Sequence, residues 1–181
     1  NLLGALDAPS TGQIKVLGNQ IDQFGHLQAS QFRKHSIGFI FQTYNLLPIY
    51  TVYENVEFPL MISHMPPQQR KQAVLESLEW VGLLDKKDSR PAQLSGGESQ
   101  RVVVARAMVK KPEIVLADEP TANLDAENSH NILQTMTRLN ESLGTTFIFS
   151  THDQKVIDYL RRKVSLLDGR IVNDELVTPT R

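Results

Sequence analysis

Two adjacent carboxylates, Asp118 and Glu119, follow the apolar run Ile114-Val115-Leu116-Ala117. The run is short and β-branched, which reads as a buried parallel strand, and open α/β sheets bind ligands at the C-terminal ends of their strands. The two charges are therefore expected to face a cleft rather than the core. In phosphoryl-transfer sites one such carboxylate holds Mg²⁺ and a second positions or activates the attacking water. An equally weighted reading is that Asp118-Glu119-Pro120 begins the next helix with charges that favour its dipole. His152 follows a second run of this kind, Thr146-Phe147-Ile148-Phe149 with Ser150-Thr151. A lone histidine is more often structural than catalytic, but a position at the same sheet edge as Asp118 reverses that preference. His26, His35, His64 and His130 show no ligand spacing and read as surface or packing residues.

Leu94-Ser95-Gly96-Gly97-Glu98 opens a helix running to about Val109. Ser95 and Glu98 have capping-box spacing. A cap alone does not call for two consecutive glycines, which cost helix propensity in the first turn. They leave backbone N–H groups accessible at a positive helix end, an anion site suited to phosphate. Arg101 and Arg106 read as solvated helix residues with charge to add to that site. Missing is G-x-x-x-x-G-K-[S/T], the loop whose backbone cradles nucleotide phosphates. No Gly-Lys pair occurs in the sequence. Either the site is not one for nucleotides, or the loop lies before residue 1.

The elements that must hold these groups follow from periodicity. Asn1 to Leu6 reads as part of an apolar helix already under way, without a signal-peptide pattern. Gln13 to Leu17 and Gln20-Ile21 flank Gly18-Asn19, a hairpin pattern. Ile37 to Phe41 is a strand ending on polar Gln42. Val74, Leu75, Leu78 and Val81 fall at helical spacing between Pro66-Pro67 and Gly82, so residues 66 to 82 form a helix. Val164 to Leu167 and Ile171-Val172 bracket Asp168-Gly169, a hairpin signal. Strands alternating with helices in the second half argue an α/β layer, and residues 43 to 112 argue a helical subdomain inserted into it.

Bulk properties are those of a globular chain. At roughly 150 residues per domain, 181 residues make one full domain or one with pieces missing. Nineteen basic and twenty acidic side chains leave a net charge of −1, with no overall drive toward nucleic acid or anionic lipid. The absence of cysteine removes disulfides, thiolate metal sites and cysteine nucleophiles. No apolar run approaches the length of a membrane span.

Taken together, Leu94-Ser95-Gly96-Gly97-Glu98-Ser99-Gln100-Arg101 resembles the signature motif of ATP-binding cassette ATPases. Asp118-Glu119 resembles the end of their Walker B strand, Asn123-Leu124-Asp125 their D-loop, His152 their switch histidine and Gln42 their Q-loop glutamine. Five motifs in the family's order and spacing cover residues 42 to 152. Leu6 to Gly12, Ile37 to Gln42 with Asn45-Leu46-Leu47-Pro48, Glu54 to Leu60 and Asp168 to Val172 further resemble the lipoprotein-release and macrolide-export branch of bacterial transporters. Ser10-Thr11 stands where that branch often has Thr-Ser, and Ala122 where it often has Gly.

The resemblance implies a single α/β domain over 1–181 with a P-loop NTPase-like core, a mainly parallel sheet, an antiparallel β subdomain and the helical insert of about 43–112. It implies that Gln42 senses Mg²⁺ and the attacking water, that Asp118 holds Mg²⁺ through water, that Glu119 is the general base and that His152 contacts the γ-phosphate. Ser95, Gly96, Gly97 and Glu98 would clasp ATP bound by a second copy in a head-to-tail dimer, with Asp125 at the interface. A membrane permease with a large external domain would dock at about Tyr44 to Glu57, placing the chain at the cytoplasmic face of the bacterial inner membrane. No nucleic-acid partner is expected. In relatives Asn-Leu-Leu-Gly lies on the helix after the phosphate loop. The expectation is therefore a chain lacking that loop, its Lys and Ser/Thr and the adenine-stacking aromatic, roughly 40 residues by family length, and inactive alone.

Two rivals compete. A DNA-repair or chromosome-structure ATPase shares the motifs, but only 51 residues separate Gln42 from Leu94, without the sustained heptads of the chromosome type. A permease-docking fragment without nucleotide chemistry is the other. The cargo is not encoded in these motifs.

Overall fold

The computed structural model describes residues 1–178. A three-stranded parallel sheet carries β3 (Ile37–Ile40), β4 (Ile114–Asp118) and β5 (Thr146–Ser150) in that spatial order. Ile37 pairs with Ile114 and Ile40 with Ala117, while Ala117 pairs with Phe149 and Asp118 with Ser150. Parallel strands need long crossovers, and here the helices supply them. Between β3 and β4 run α2 (Val52–Ile62), α3 (Pro67–Trp80) and α4 (Gly96–Met108); between β4 and β5 runs α5 (Ala126–Leu143).

Helix α4 is the hub. Val102, Val103, Val104, Ala105, Ala107 and Met108 are all buried, so this helix is apolar on nearly every side and must be enclosed. It packs on α2, α3, α5 and β3, joining Leu60, Val74 and Leu78 to Ile40 and Val115 in one core. Helix α5 is amphipathic instead, burying Ile132, Leu133, Met136 and Leu139 at spacings of one helical face. It stops at Gly144, whose φ of +69° suits a residue without Cβ, and the Gly144 N–H closes onto Asn140 O. The predicted helix 66–82 is α3, with Pro67 in its first turn.

Two antiparallel hairpins, two further α-helices and three single-turn 3-10 helices complete the described elements: β1 (Lys15–Val16) with β2 (Asn19–Gln20), α1 (His26–Ser36), α6 (Gln154–Ile157), β6 (Arg162–Leu167) with β7 (Arg170–Leu176), and the 3-10 turns Ile21–Gln23, Leu84–Lys86 and Pro91–Gln93. The second hairpin turns at Asp168-Gly169 as expected. The first turns one residue early, at Leu17-Gly18, because Val16 pairs with Asn19 and both turn residues take positive φ. The antiparallel part is thus two separate hairpins, one of them only two residues per strand. Residues 1 to 6 are turns rather than helix: Ala5 N–H reaches Leu2 O, Leu6 N–H reaches Asn1 O, and Ala5 has φ +50°. Gly4 is pressed against the Phe39 ring and Leu116. Among the described residues no helix is long and apolar enough to cross a membrane.

Candidate functional site

The strand register brings the predicted chemistry to one sheet edge. Asp118 ends β4 opposite Ser150, so Glu119 leaves β4 beside Thr151 and His152, which leave β5; Gln42 lies two residues beyond β3. Glu119 N–H donates to Ser150 O at 2.9 Å, extending the β4–β5 contact past the ladder. Its φ is +44°, a conformation a glutamate adopts only where surrounding contacts hold it. Those contacts are on the carboxylate. Oε2 accepts from Thr151 Oγ1 at 2.9 Å, and Oε1 accepts from His152 N at 3.2 Å and lies 2.6 Å from His152 Nδ1. Thr151 Oγ1 itself accepts from Asp153 N–H at 3.1 Å, which leaves its one proton for Glu119. The Glu119 side chain is 17% exposed and the His152 ring 92%, so the imidazole is open to a ligand while the carboxylate is held beneath it.

Asp118 is exposed, and among the described residues no cation pairs with it. Among those residues no group of three His, Cys, Asp or Glu side chains forms a metal cage. A free carboxylate, with the Gln42 amide following the neighbouring strand β3, is an all-oxygen donor set of the kind that suits Mg²⁺, which binds through one or two carboxylates and completes its shell with water and phosphate. Gln42 is exposed, and its carbonyl accepts from Asn123 Nδ2 at 3.0 Å. The bland reading of Asp118-Glu119-Pro120 as a helix start does not hold: α5 begins only at Ala126, capped by Asp125.

The second cluster is the start of α4. Ser95 Oγ accepts from Glu98 N–H at 3.2 Å and Ser95 N–H donates to Glu98 Oε2 at 2.8 Å, the expected capping box. The bond from Ser95 N–H is the main reason that the Glu98 carboxyl sits below its ordinary value. Glu98 is thus committed to the cap. The two glycines differ. Gly96 is exposed, next to the Tyr44 hydroxyl and the Asn123-Leu124 segment. Gly97 is buried, and a Cβ there would stand 2.2 Å from Asn128 Oδ1. The missing Cβ thus serves two contacts: at Gly96 it leaves room beside the Tyr44 hydroxyl, and at Gly97 it lets α5 approach. Asp125 fixes Asn128 by accepting from its N–H at 2.8 Å and its Nδ2 at 2.7 Å, and these bonds pull the Asp125 carboxyl down. Sequence reading assigned no role to Thr151 or Asn128, whose only signal was adjacency to motif residues. It misread Arg106, which is half-buried rather than solvated.

Residues 1–122 match the family model described as ABC transporter. The chain belongs to the ABC transporter family. It is 41% identical over 174 residues to the lipoprotein-releasing system ATP-binding protein LolD of Geobacter metallireducens, covering 96% of this chain and 77% of that protein. It is 42% identical over 169 residues to the ABC transporter ATP-binding protein YtrE of Bacillus subtilis, covering 93% and 73%. The dimeric, post-hydrolysis structure of the ATP-binding cassette MJ0796 bound to ADP and Pi superposes with a TM-score of 0.87 at 36% identity, covering 97% of this chain and 78% of that one. These relatives are ABC proteins of the transporter kind and give the DNA-repair reading no support. In this ABC chain the Walker B-like carboxylates and the switch-like histidine share one sheet edge, and the signature-like turn abuts the D-loop-like segment.

Proposed function

We propose that this ABC transporter nucleotide-binding subunit hydrolyses ATP within a head-to-tail dimer and drives a membrane permease of the LolD-like export branch, releasing lipoproteins or exporting macrolides or peptides. The observation that carries the reading is the Glu119 carboxylate gripped by Thr151 and His152 beside an unpaired Asp118. Glu119 accepts a proton from water as the water oxygen bonds to the γ-phosphorus and the bond to the β-phosphate oxygen breaks, giving ADP and phosphate. His152, exposed above Glu119, donates to the γ-phosphate. Asp118 through water, and Gln42, would hold Mg²⁺, which when bound neutralises charge on the phosphates. Ser95, Gly96 and Gly97 present the start of α4 to ATP held by the other copy, with Glu98 acting through the cap. Asp125, exposed beside them, faces the same partner. The dimeric MJ0796 cassette bound to ADP and Pi supports this arrangement, and the LolD and YtrE names support a permease partner at the inner face of a bacterial plasma membrane.

The test is ATP turnover by the intact protein reconstituted with its permease in proteoliposomes. Turnover that requires Mg²⁺ and collapses in Glu119→Gln supports the reading. Equal turnover in wild type and Glu119→Gln overturns it.

A further inference from the structure

Arg106 is a largely buried cation outside the hydrolysis site. It sits on the last turn of α4, and burial pulls its guanidinium below the ordinary arginine value. Among the described residues no carboxylate pairs with it. Its two terminal nitrogens instead donate to consecutive main-chain carbonyls, Nη2 to Tyr44 O at 2.8 Å and Nη1 to Asn45 O at 2.6 Å. A largely desolvated cation held only by neutral carbonyls is expensive, and the planar fork fits two adjacent acceptors as an ammonium does not.

The segment it grips leaves β3 through Gln42. Asn45 has φ +48°, a left-handed conformation that asparagine tolerates, held in part by a bond from Thr43 Oγ1 to Asn45 Oδ1 at 3.1 Å. At the far end buried Asn55 pins the same segment: its Nδ2 donates to Leu47 O, Tyr50 O and Thr51 O, and its Oδ1 accepts from Leu47 N–H at 2.8 Å. The Tyr44 hydroxyl also reaches the other end of α4, where a Cβ on Gly96 would stand 3.1 Å from it. The segment therefore touches α4 at residues 96 and 106, about 15 Å apart along a helix at 1.5 Å per residue. Two attachments that far apart fix position and tilt together.

We propose that Arg106 is a positioning residue that couples segment 42–50 to helix α4, so that a displacement of the segment turns the whole helix and with it the Ser95-Gly96-Gly97 turn. This rests on the permease reading above, in which the partner meets that segment. Without the fork the segment slides over a helix that stays in place.

The experiment measures ATP turnover of the intact protein with and without its reconstituted permease, for wild type, Arg106→Gln and Arg106→Lys. Arg106→Gln is expected to keep basal turnover and KM for ATP within about twofold and to lower the ratio of permease-stimulated to basal turnover at least about fivefold. Arg106→Lys, with its charge but one reaching group, recovers part of the ratio and keeps the test open if the glutamine variant folds poorly. A wild-type ratio in both variants overturns the coupling role, and so does an equal fall in basal and stimulated turnover, the mark of a merely structural residue. If the wild type shows no stimulation while Glu119→Gln is inactive, the permease reading fails and takes the proposal with it.

Discussion

Glu119 and His152, 33 residues apart in sequence, meet as Oε1 and Nδ1 at 2.6 Å across the ends of two neighbouring parallel strands. The pairing of Asp118 with Ser150 sets it. A slip of the β4–β5 register by one residue would move every side chain of β5 to the opposite face and part the two groups. Replacing Glu119 by Gln keeps the shape and removes the base, so turnover is expected to fall by roughly 10²–10⁴ while nucleotide still binds. Steady-state hydrolysis together with equilibrium nucleotide binding checks both halves.

Thr151 makes a subtler claim. Its hydroxyl proton goes to Glu119 Oε2, while its oxygen accepts from Asp153 N–H. Thr151→Val keeps the volume and deletes the donor. The freed carboxylate costs about tenfold in kcat, equivalent to one hydrogen bond to a charged group, with KM for ATP unchanged. Thr151→Ser restores the rate. A valine variant as fast as the wild type would show that the hydroxyl does not orient the base.

Gly97→Ala is predicted to destabilise the fold by about 1–3 kcal/mol, since the new methyl group overlaps a side chain that cannot swing away. The Asn128 side chain is tied to Asp125 through Nδ2 and its main chain through N–H, and the added Cβ also meets Asn128 Cγ at 2.6 Å, so the overlap forces apart α4 and α5. Denaturant midpoints of Gly97→Ala, Asn128→Ala and the pair measure it. The double variant should be more stable than the sum of the singles, because the second change makes room for the first.

Lys110 gives the stability a pH signature. Its Nζ donates to Arg33 O at 2.6 Å and Lys34 O at 3.1 Å at the end of α1, and burial lowers its pKa to about 8 from an ordinary 10.5. Between those values the unfolded chain binds more protons than the folded one, so stability rises with pH from about 8 to 10.5. Below about 8 both states are protonated and this contribution is flat. Urea unfolding across that range should show the slope in wild type and lose it in Lys110→Met.

The amino-acid sequence by itself determined what depends on near neighbours. Capping pairs such as Ser95 and Glu98, the Asp168-Gly169 turn, the period of α3 and the short β-branched runs each act within a few residues, and each appears in the fold where its pattern lies. The motif order, carried by residue identity alone, gave the family and the residues of the sheet edge. Only tertiary structure decided how those motifs are held. Gly97 is small because Asn128 must fit against it, Arg106 turns inward to carbonyls about sixty positions away, and Thr151 spends its proton on Glu119. Residues 1 to 6 take turns with Gly4 against Phe39 and Leu116, a contact that no local period encodes. Such contacts depend on strand register and helix packing, which arise when distant segments compete for the same buried surface. A pattern read along one segment holds no information about which competitor wins.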